Sequence, residues 1–274
     1  MKVLVTGDTG FVGTHLVKKL IELNHEVTGF SPDKGKDIRN YAEIEKSVKG
    51  KDVVIHLAAQ TDVRKSFENP KLDYEVNYQG TKNVVKACEK FGTRLIFTSS
   101  AAVYGNSRDI PTHEDSPKLP VSFYGLHKLF AEKECERINP FIIRPFNIYG
   151  PGGHGAINKF TELIKNDKEI VLFNDGSHTR DYIYINDIVS ALILGLKSKP
   201  GVYNIASGKE TSLKEVIDAI SKELDKKPRI RYNIQKEGDA PRSVADITKA
   251  EKELKWCPKT QLKEGIKKIC SPNG

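Results

Sequence analysis

No apolar run among the 274 residues approaches the ~18 needed to cross a membrane as a helix, so no membrane partner is expected. Cysteine is scarce. Cys88, Cys135, Cys257 and Cys270 lie far apart and have neither metal-site nor redox-pair spacing, which fits free thiols in the cytoplasm. The seven histidines form no H-E-x-x-H-type cluster, so no catalytic metal is expected. Blocks of roughly five or more like charges, the mark of a nucleic-acid arm, are missing as well. Internal repeats and low-complexity segments are absent. The apolar start is interrupted early by glycines and reads as a strand, not a signal peptide.

What is present is an ordinary globular composition, 38% hydrophobic and 29% charged. The length suits one large α/β unit plus a smaller lobe. Net charge is +8. Lys and Glu are interleaved, as in Lys214-Glu215 and Lys222-Glu223, which reads as solvated faces. A field that attracts a polyanionic small molecule is the functional reading of the same charge.

The chain is organised around Gly7-Asp8-Thr9-Gly10-Phe11-Val12-Gly13. The apolar run Val3 to Val5 precedes it and the amphipathic run Thr14 to Leu23 follows. Strand, glycine turn and helix together make an anion site. A pyrophosphate approaches backbone N–H groups where no side chain intervenes, at the positive end of a helix dipole. Glu26 to Phe30 reads as the second strand, and Ser31 stands where an acid usually meets the adenosine ribose. Asp33 follows closely, and Lys34 and Lys36 suit a 2′-phosphate, so NAD and NADP both stay open.

Further along, Tyr41 to Val48 is helical, and Asp52 to Ala59 is a buried strand ending in small residues that leave room for a ligand. His56 in that strand reads as a satisfied core histidine. Leu72 to Phe91 has one helical period closed by Gly92, and Arg94 to Thr98 is the fourth strand. Phe123 to Ile138 is a helix and Pro140 to Arg144 the fifth strand. This alternation predicts a Rossmann-type, doubly wound parallel sheet over residues 1–146. A smaller C-terminal substrate lobe over 147–274 follows, with about 181–206 returning to the main domain. Strands are expected near 170–173, 181–185 and 202–206, and helices near 156–166, 186–197 and 212–224.

Tyr124 and Lys128 lie four apart, on one helix face. An ammonium there favours phenolate, which can exchange a proton with a sugar hydroxyl. Ser100, at the end of the fourth strand, can hydrogen-bond the reacting oxygen, while its neighbour Ser99 should point the other way.

These motifs resemble the extended short-chain dehydrogenase/reductases of the nucleotide-sugar epimerase/dehydratase group, and the UDP-glucose 4-epimerases most. The likeness runs through the glycine turn, Asp37-Ile38, His56 to Ala59, Ser99 to Gly105 and the Tyr124/Lys128 pair. It continues through Arg144 to Pro151, Thr179 to Ile183 and Gly238 to Asp246. It implies Ser100, Tyr124 and Lys128 as the catalytic set. It implies a coenzyme pocket of Gly7, Gly10, Phe11, Val12, Gly13, Ser31, Asp37, Ile38, Leu57, Ala58, Ala59, Asn77, Tyr124 and Lys128. It implies substrate contacts at Ser100, Asn147, Arg180 (on the UDP diphosphate) and Asp239 (on the uridine ribose). It also implies NAD as coenzyme, a UDP-sugar as substrate, and a homodimer built on the helices at 72–91 and 123–138.

Three positions depart from the family pattern. Ser31 replaces the ribose acid. Ala101-Ala102 stand where 4,6-dehydratases carry Asp-Glu, which argues against dehydration. Ser243 stands where galactose-specific enzymes have a bulky tyrosine, leaving space for the N-acetyl group of UDP-GlcNAc. The expected activity is C4 epimerisation of UDP-glucose/UDP-galactose. Its rivals are an NADPH-dependent reductase of 4-keto deoxysugar nucleotides and a non-catalytic dinucleotide sensor.

Overall fold

The computed structural model describes residues 1–173, 176–233 and 241–271. Contacts divide the chain into two units. The first is Met1–Gly105, Pro117–Pro145 and Val189–Tyr203; the second is Asn106–Ser116, Phe146–Ile188 and Asn204–Gly274. The segment returning to the first unit is thus 189–203, against the 181–206 expected, and loop Asn106–Ser116 packs with the second.

The first unit holds a six-stranded sheet of order β2-β1-β3-β4-β5-β9. The strands are β1 (Lys2–Thr6), β2 (Glu26–Phe30), β3 (Val53–His56), β4 (Arg94–Thr98), β5 (Phe141–Pro145) and β9 (Gly201–Ile205). The β1–β2, β1–β3, β3–β4 and β4–β5 pairs are parallel. Val3, Leu4, Val5, Val54, Ile55 and Ile96 are fully buried, as a sheet covered on both faces requires. In register, Thr6 lies opposite both Phe30 and His56, and His56 opposite Phe97. Gly7, Ser31, Leu57 and Ser99 therefore follow their strands at one carboxyl edge, where open α/β sheets bind ligands.

Flanking this sheet are α1 (Phe11–Glu22), α2 (Tyr41–Val48), α3 (Val63–Glu68), α4 (Pro70–Tyr74), α5 (Thr81–Phe91) and α6 (Phe123–Cys135). The chain is helical throughout the expected 72–91. The helix starts earlier, with Asn69 as cap and Pro70 in its first turn, and a π-helical stretch, Glu75–Gly80, lies between α4 and α5. One residue inserted per turn shifts the face without erasing the apolar period, so the sequence pattern hides the π-turn. Gly92 ends α5 in the left-handed conformation, as its position predicts. Helix α6 starts on Ser122, whose hydroxyl accepts from the Gly125 N–H, and a 3-10 turn, Glu136–Ile138, replaces its expected last turn.

The second unit contains β6 (Asn147–Tyr149), β7 (Glu169–Phe173), β8 (Thr179–Tyr184), β10 (Glu210–Ser212) and β11 (Arg229–Asn233). β8 is central to a three-stranded sheet, parallel to β6 and antiparallel to β10, while β7 and β11 form a parallel pair. α7 (Ala156–Lys165) packs on α9 (Leu213–Leu224) and α11 (Leu262–Cys270), and Ile157, Ile164, Val216, Ile220 and Ile266 of these helices are all buried. α8 (Ile185–Gly195) links the units and α10 (Thr248–Leu254) precedes α11. Among the described residues no helix is long and apolar enough to cross a membrane, and no cluster of His, Cys, Asp and Glu is placed to hold a metal ion.

Candidate active site

The glycine turn is closed by its own backbone. Gly7 has φ +74°, and a Cβ on it would lie 2.7 Å from the Ala58 nitrogen. A Cβ on Gly13 would collide with the Gly7 carbonyl oxygen. Both positions need glycine, one for its backbone angle and both for close approach. Helix α1 begins at Phe11 with Gly10 as its cap, and no side chain bonds its first N–H groups. That end of α1 is an anion site by geometry and by dipole.

Around it stand the other expected coenzyme residues. Ser31 is 2% exposed and its hydroxyl has no partner among the described residues. Ile38 is buried against Gly80, where a Cβ would lie 2.6 Å from Ile38 Cδ1. The half-exposed Asp37 accepts from the Arg39 guanidinium at 2.6 and 2.9 Å, and this bonding holds its carboxyl below the usual range. Thr6 Oγ1 accepts from the Ala58 N–H, fixing the Leu57–Ala59 loop. Asn77 is buried, but its amide is spent on protein. Its oxygen accepts from the Gln60 N–H at 3.0 Å, and its nitrogen donates to the Gln60 carbonyl and to Asp73. It shapes the wall rather than offering a free polar group. A glycine cradle that no Cβ would tolerate and an orphaned buried hydroxyl at the end of β2 together fit a dinucleotide.

The three residues expected to be catalytic, Ser100, Tyr124 and Lys128, all lie in the first unit. Ser100 caps the 3-10 turn Ala101–Tyr104, accepting from the Ala102 N–H at 3.1 Å. Tyr124 is 8% exposed; burial raises its pKa and the Ser100 hydroxyl lowers it. Lys128, one turn along α6, is buried and pushed down to about 8 by that burial. Its Nζ donates to the Thr98 carbonyl at 2.7 Å and lies 4.7 Å from the Phe97 ring centre. The group opposing burial at Tyr124 is therefore the Ser100 hydroxyl, whereas the sequence assigns that effect to Lys128. Ser99 is buried, and its hydroxyl has no partner among the described residues.

Two buried networks have no local sequence signal. Asp73, 1% exposed, accepts from His127 Nδ1 at 2.7 Å, from Gln60 at 2.8 Å and from Asn77 at 3.0 Å. It joins the loop after β3 to the helix bearing Tyr124. Arg144 donates to Glu132 and to the Tyr104 hydroxyl, all buried. His56 is a core residue, as the sequence suggests, bonded to Thr6 and Thr81.

In the second unit, Asn147, Tyr149, Arg180, Tyr182 and Leu213 help line a cavity of about 310 Å³. Asn147 donates to the Asp181 carbonyl at 3.0 Å and Arg180 to the Thr179 carbonyl at 2.7 Å. The Asp181 side chain is fully buried and accepts from Ser207, Gly208 and Ala245. Burial pushes its carboxyl up and the Ser207 bonds pull it back. Ser243 is half-buried. Asp239 lies outside the described residues.

Residues 3–206 match the family described as the NAD dependent epimerase/dehydratase family. A putative UDP-glucose 4-epimerase of Methanocaldococcus jannaschii is 37% identical, covering 97% of this chain and 96% of its own. The UDP-glucose 4-epimerase of Thermus thermophilus, solved with NAD, is 30% identical with a TM-score of 0.92, covering 98% of both chains. The UDP-N-acetylglucosamine 4-epimerase of Methanobrevibacter ruminantium, solved with UDP-N-acetylmuramic acid, is also 30% identical with a TM-score of 0.92, covering 98% of this chain and 97% of that one. With a family model that spans most of its length and a relative 37% identical along nearly the whole of both chains, the chain belongs to the NAD dependent epimerase/dehydratase family.

Proposed function

We propose that the protein is an NAD-dependent UDP-sugar 4-epimerase acting on UDP-glucose and UDP-galactose. The observation that carries this is the Ser100 hydroxyl acting on the buried Tyr124, with Lys128 one turn on, at the same strand edge as the glycine turn. The glycine turn, Ser31 and Ile38 would hold NAD, which would supply a hydride acceptor and donor for sugar C4. The chain's own part is the proton. Tyr124 takes it from the sugar 4-hydroxyl and later gives it back, while Ser100 holds the same oxygen. Lys128, positively charged below about pH 8, holds the Thr98 carbonyl at the end of the strand that leads to Ser100. Arg180 suits the diphosphate, because a planar guanidinium can pair two oxygens at once. Such binding far from C4 retains a neutral keto-sugar without fixing which face it shows. Ala101-Ala102, in the turn after Ser100, provide no acid or base for removing water.

Ser243 extends the proposal to UDP-GlcNAc, since a small side chain leaves room for an N-acetyl group. The homodimer implied by the family resemblance is part of the same proposal.

The test is to supply UDP-galactose without added coenzyme and assay UDP-glucose, with UDP-GlcNAc in parallel. Interconversion with no net coenzyme turnover is expected; stoichiometric NADPH consumption would instead identify a reductase. Tyr124→Phe should lower kcat by about a hundredfold or more with NAD binding unchanged. Full activity in that variant removes Tyr124 from the mechanism.

A further inference from the structure

Dinucleotide folds usually meet the adenosine ribose with an acid at the end of β2. Here that position is Ser31, whose hydroxyl carries no charge to repel a 2′-phosphate. The nearby lysines, Lys34 and Lys36, would by themselves attract one. A carboxylate nevertheless lies at this edge, delivered from a different strand. Gly7 donates its N–H to the Phe30 carbonyl at 2.8 Å, which sets Asp8 level with the end of β2. Gly29 makes the space, since a Cβ there would collide with Asp8 Oδ2 and Lys34 Nζ. Asp8 is 6% exposed; its Oδ2 takes Lys34 Nζ at 2.6 Å, and its Oδ1 is buried without a partner among the described residues. Ser31 Oγ is orphaned in the same way. Two unpartnered buried oxygens at one strand edge call for hydroxyl donors, and a ribose diol supplies them.

We propose that Asp8 is the ribose carboxylate of this chain, and that its ion pair with Lys34 selects NAD over NADP. The proposal rests on the coenzyme reading above. Lys34 is neutralised by Asp8, and Lys36 Nζ sits 5.5 Å from the Phe30 ring centre. A 2′-phosphate entering here meets a buried carboxylate and must break the pair to gain a cation. Like charges brought together in a desolvated site are strongly discriminating.

The experiment is equilibrium binding of NADH and NADPH, followed by nicotinamide fluorescence, to protein freed of carried-over nucleotide. The parent should bind NADH more tightly than NADPH by about tenfold or more. Asp8→Asn keeps the shape, removes the charge and frees Lys34, so the NADPH/NADH affinity ratio should rise about tenfold. That gain should vanish in Asp8→Asn/Lys34→Met. An unchanged ratio in Asp8→Asn overturns the assignment, as does a parent that prefers NADPH or a gain that survives loss of Lys34. If circular dichroism shows Asp8→Asn to be unfolded, Lys34→Met decides. It should keep or widen the preference for NADH, and tighter NADPH binding in it overturns the proposal. A parent that binds neither dinucleotide overturns the coenzyme reading itself.

Discussion

Arg144 shows how much of the site's precision depends on one buried charge. Its Nε and Nη2 donate to the two Glu132 oxygens at 2.9 and 2.6 Å, and its Nη1 donates to Tyr104 at 2.7 Å. Burial works against the charge, but Glu132 outweighs it and holds the guanidinium pKa above its ordinary value. The three residues come from β5, from α6 and from the turn that begins at Ser100. The pair therefore locks the turn bearing Ser100 to the helix bearing Tyr124 and Lys128. Arg144→Met leaves the Glu132 carboxylate buried and unpaired, which should cost about 3–5 kcal/mol in urea unfolding. Arg144→Met/Glu132→Met should recover most of that loss, because an apolar pair leaves no charge stranded. If the single variant loses under about 1 kcal/mol, the pair is not what fixes the turn.

Strand β3 has a comparable role one level up, and its effect depends on pH. Thr81 donates its hydroxyl to the Asn77 carbonyl, so it accepts from His56 Nε2–H; His56 Nδ1 then accepts from Thr6. The ring is neutral, stacked on Phe97, and burial lowers its pKa from 6.5 to about 3. The unfolded chain thus binds one more proton between about pH 3 and 6.5. Stability from this group is complete above pH 6.5 and lost as pH falls through that window, by about 1.4 kcal/mol per unit. Urea midpoints at pH 7, 6 and 5 should fall more steeply for the parent than for His56→Gln; equal slopes would place the acid sensitivity elsewhere. His56 as a core residue was legible, because a lone histidine in a run of apolar strand residues has few other uses. So were the glycine turn and the Tyr124/Lys128 spacing, where backbone geometry or helical period dictates the residue type. The π-turn at Glu75–Gly80 was not, because it preserves the apolar spacing on either side. Nor was the Asp73–His127 bond, which joins positions 54 apart with no pattern linking them.

The surface that would join two copies of the chain is also where α6 lies. Phe67, Phe123 and Phe130 are 56%, 39% and 38% exposed, and Val63 and Leu72 are exposed beside them. They come from α3, α4 and α6, which pack together, and their rings touch, Phe67 on Phe123 and Tyr78 on Phe130. Several large apolar side chains gathered on neighbouring helices mark an interaction surface more often than chance exposure. A second copy applied here would cover the same three helices on each side, as two-fold pairing demands. Light scattering after size exclusion should then give about twice the 30.7 kDa chain mass. Phe67→Glu/Phe130→Glu should halve it, since a charge at a buried interface stays unpaired. The monomeric variant should also lose turnover, because Phe130 packs beside His127, which anchors α6 to Asp73. A parent that elutes as a monomer at micromolar concentration removes the dimer. A variant that is monomeric but fully active shows that α6 holds Tyr124 in place without a partner.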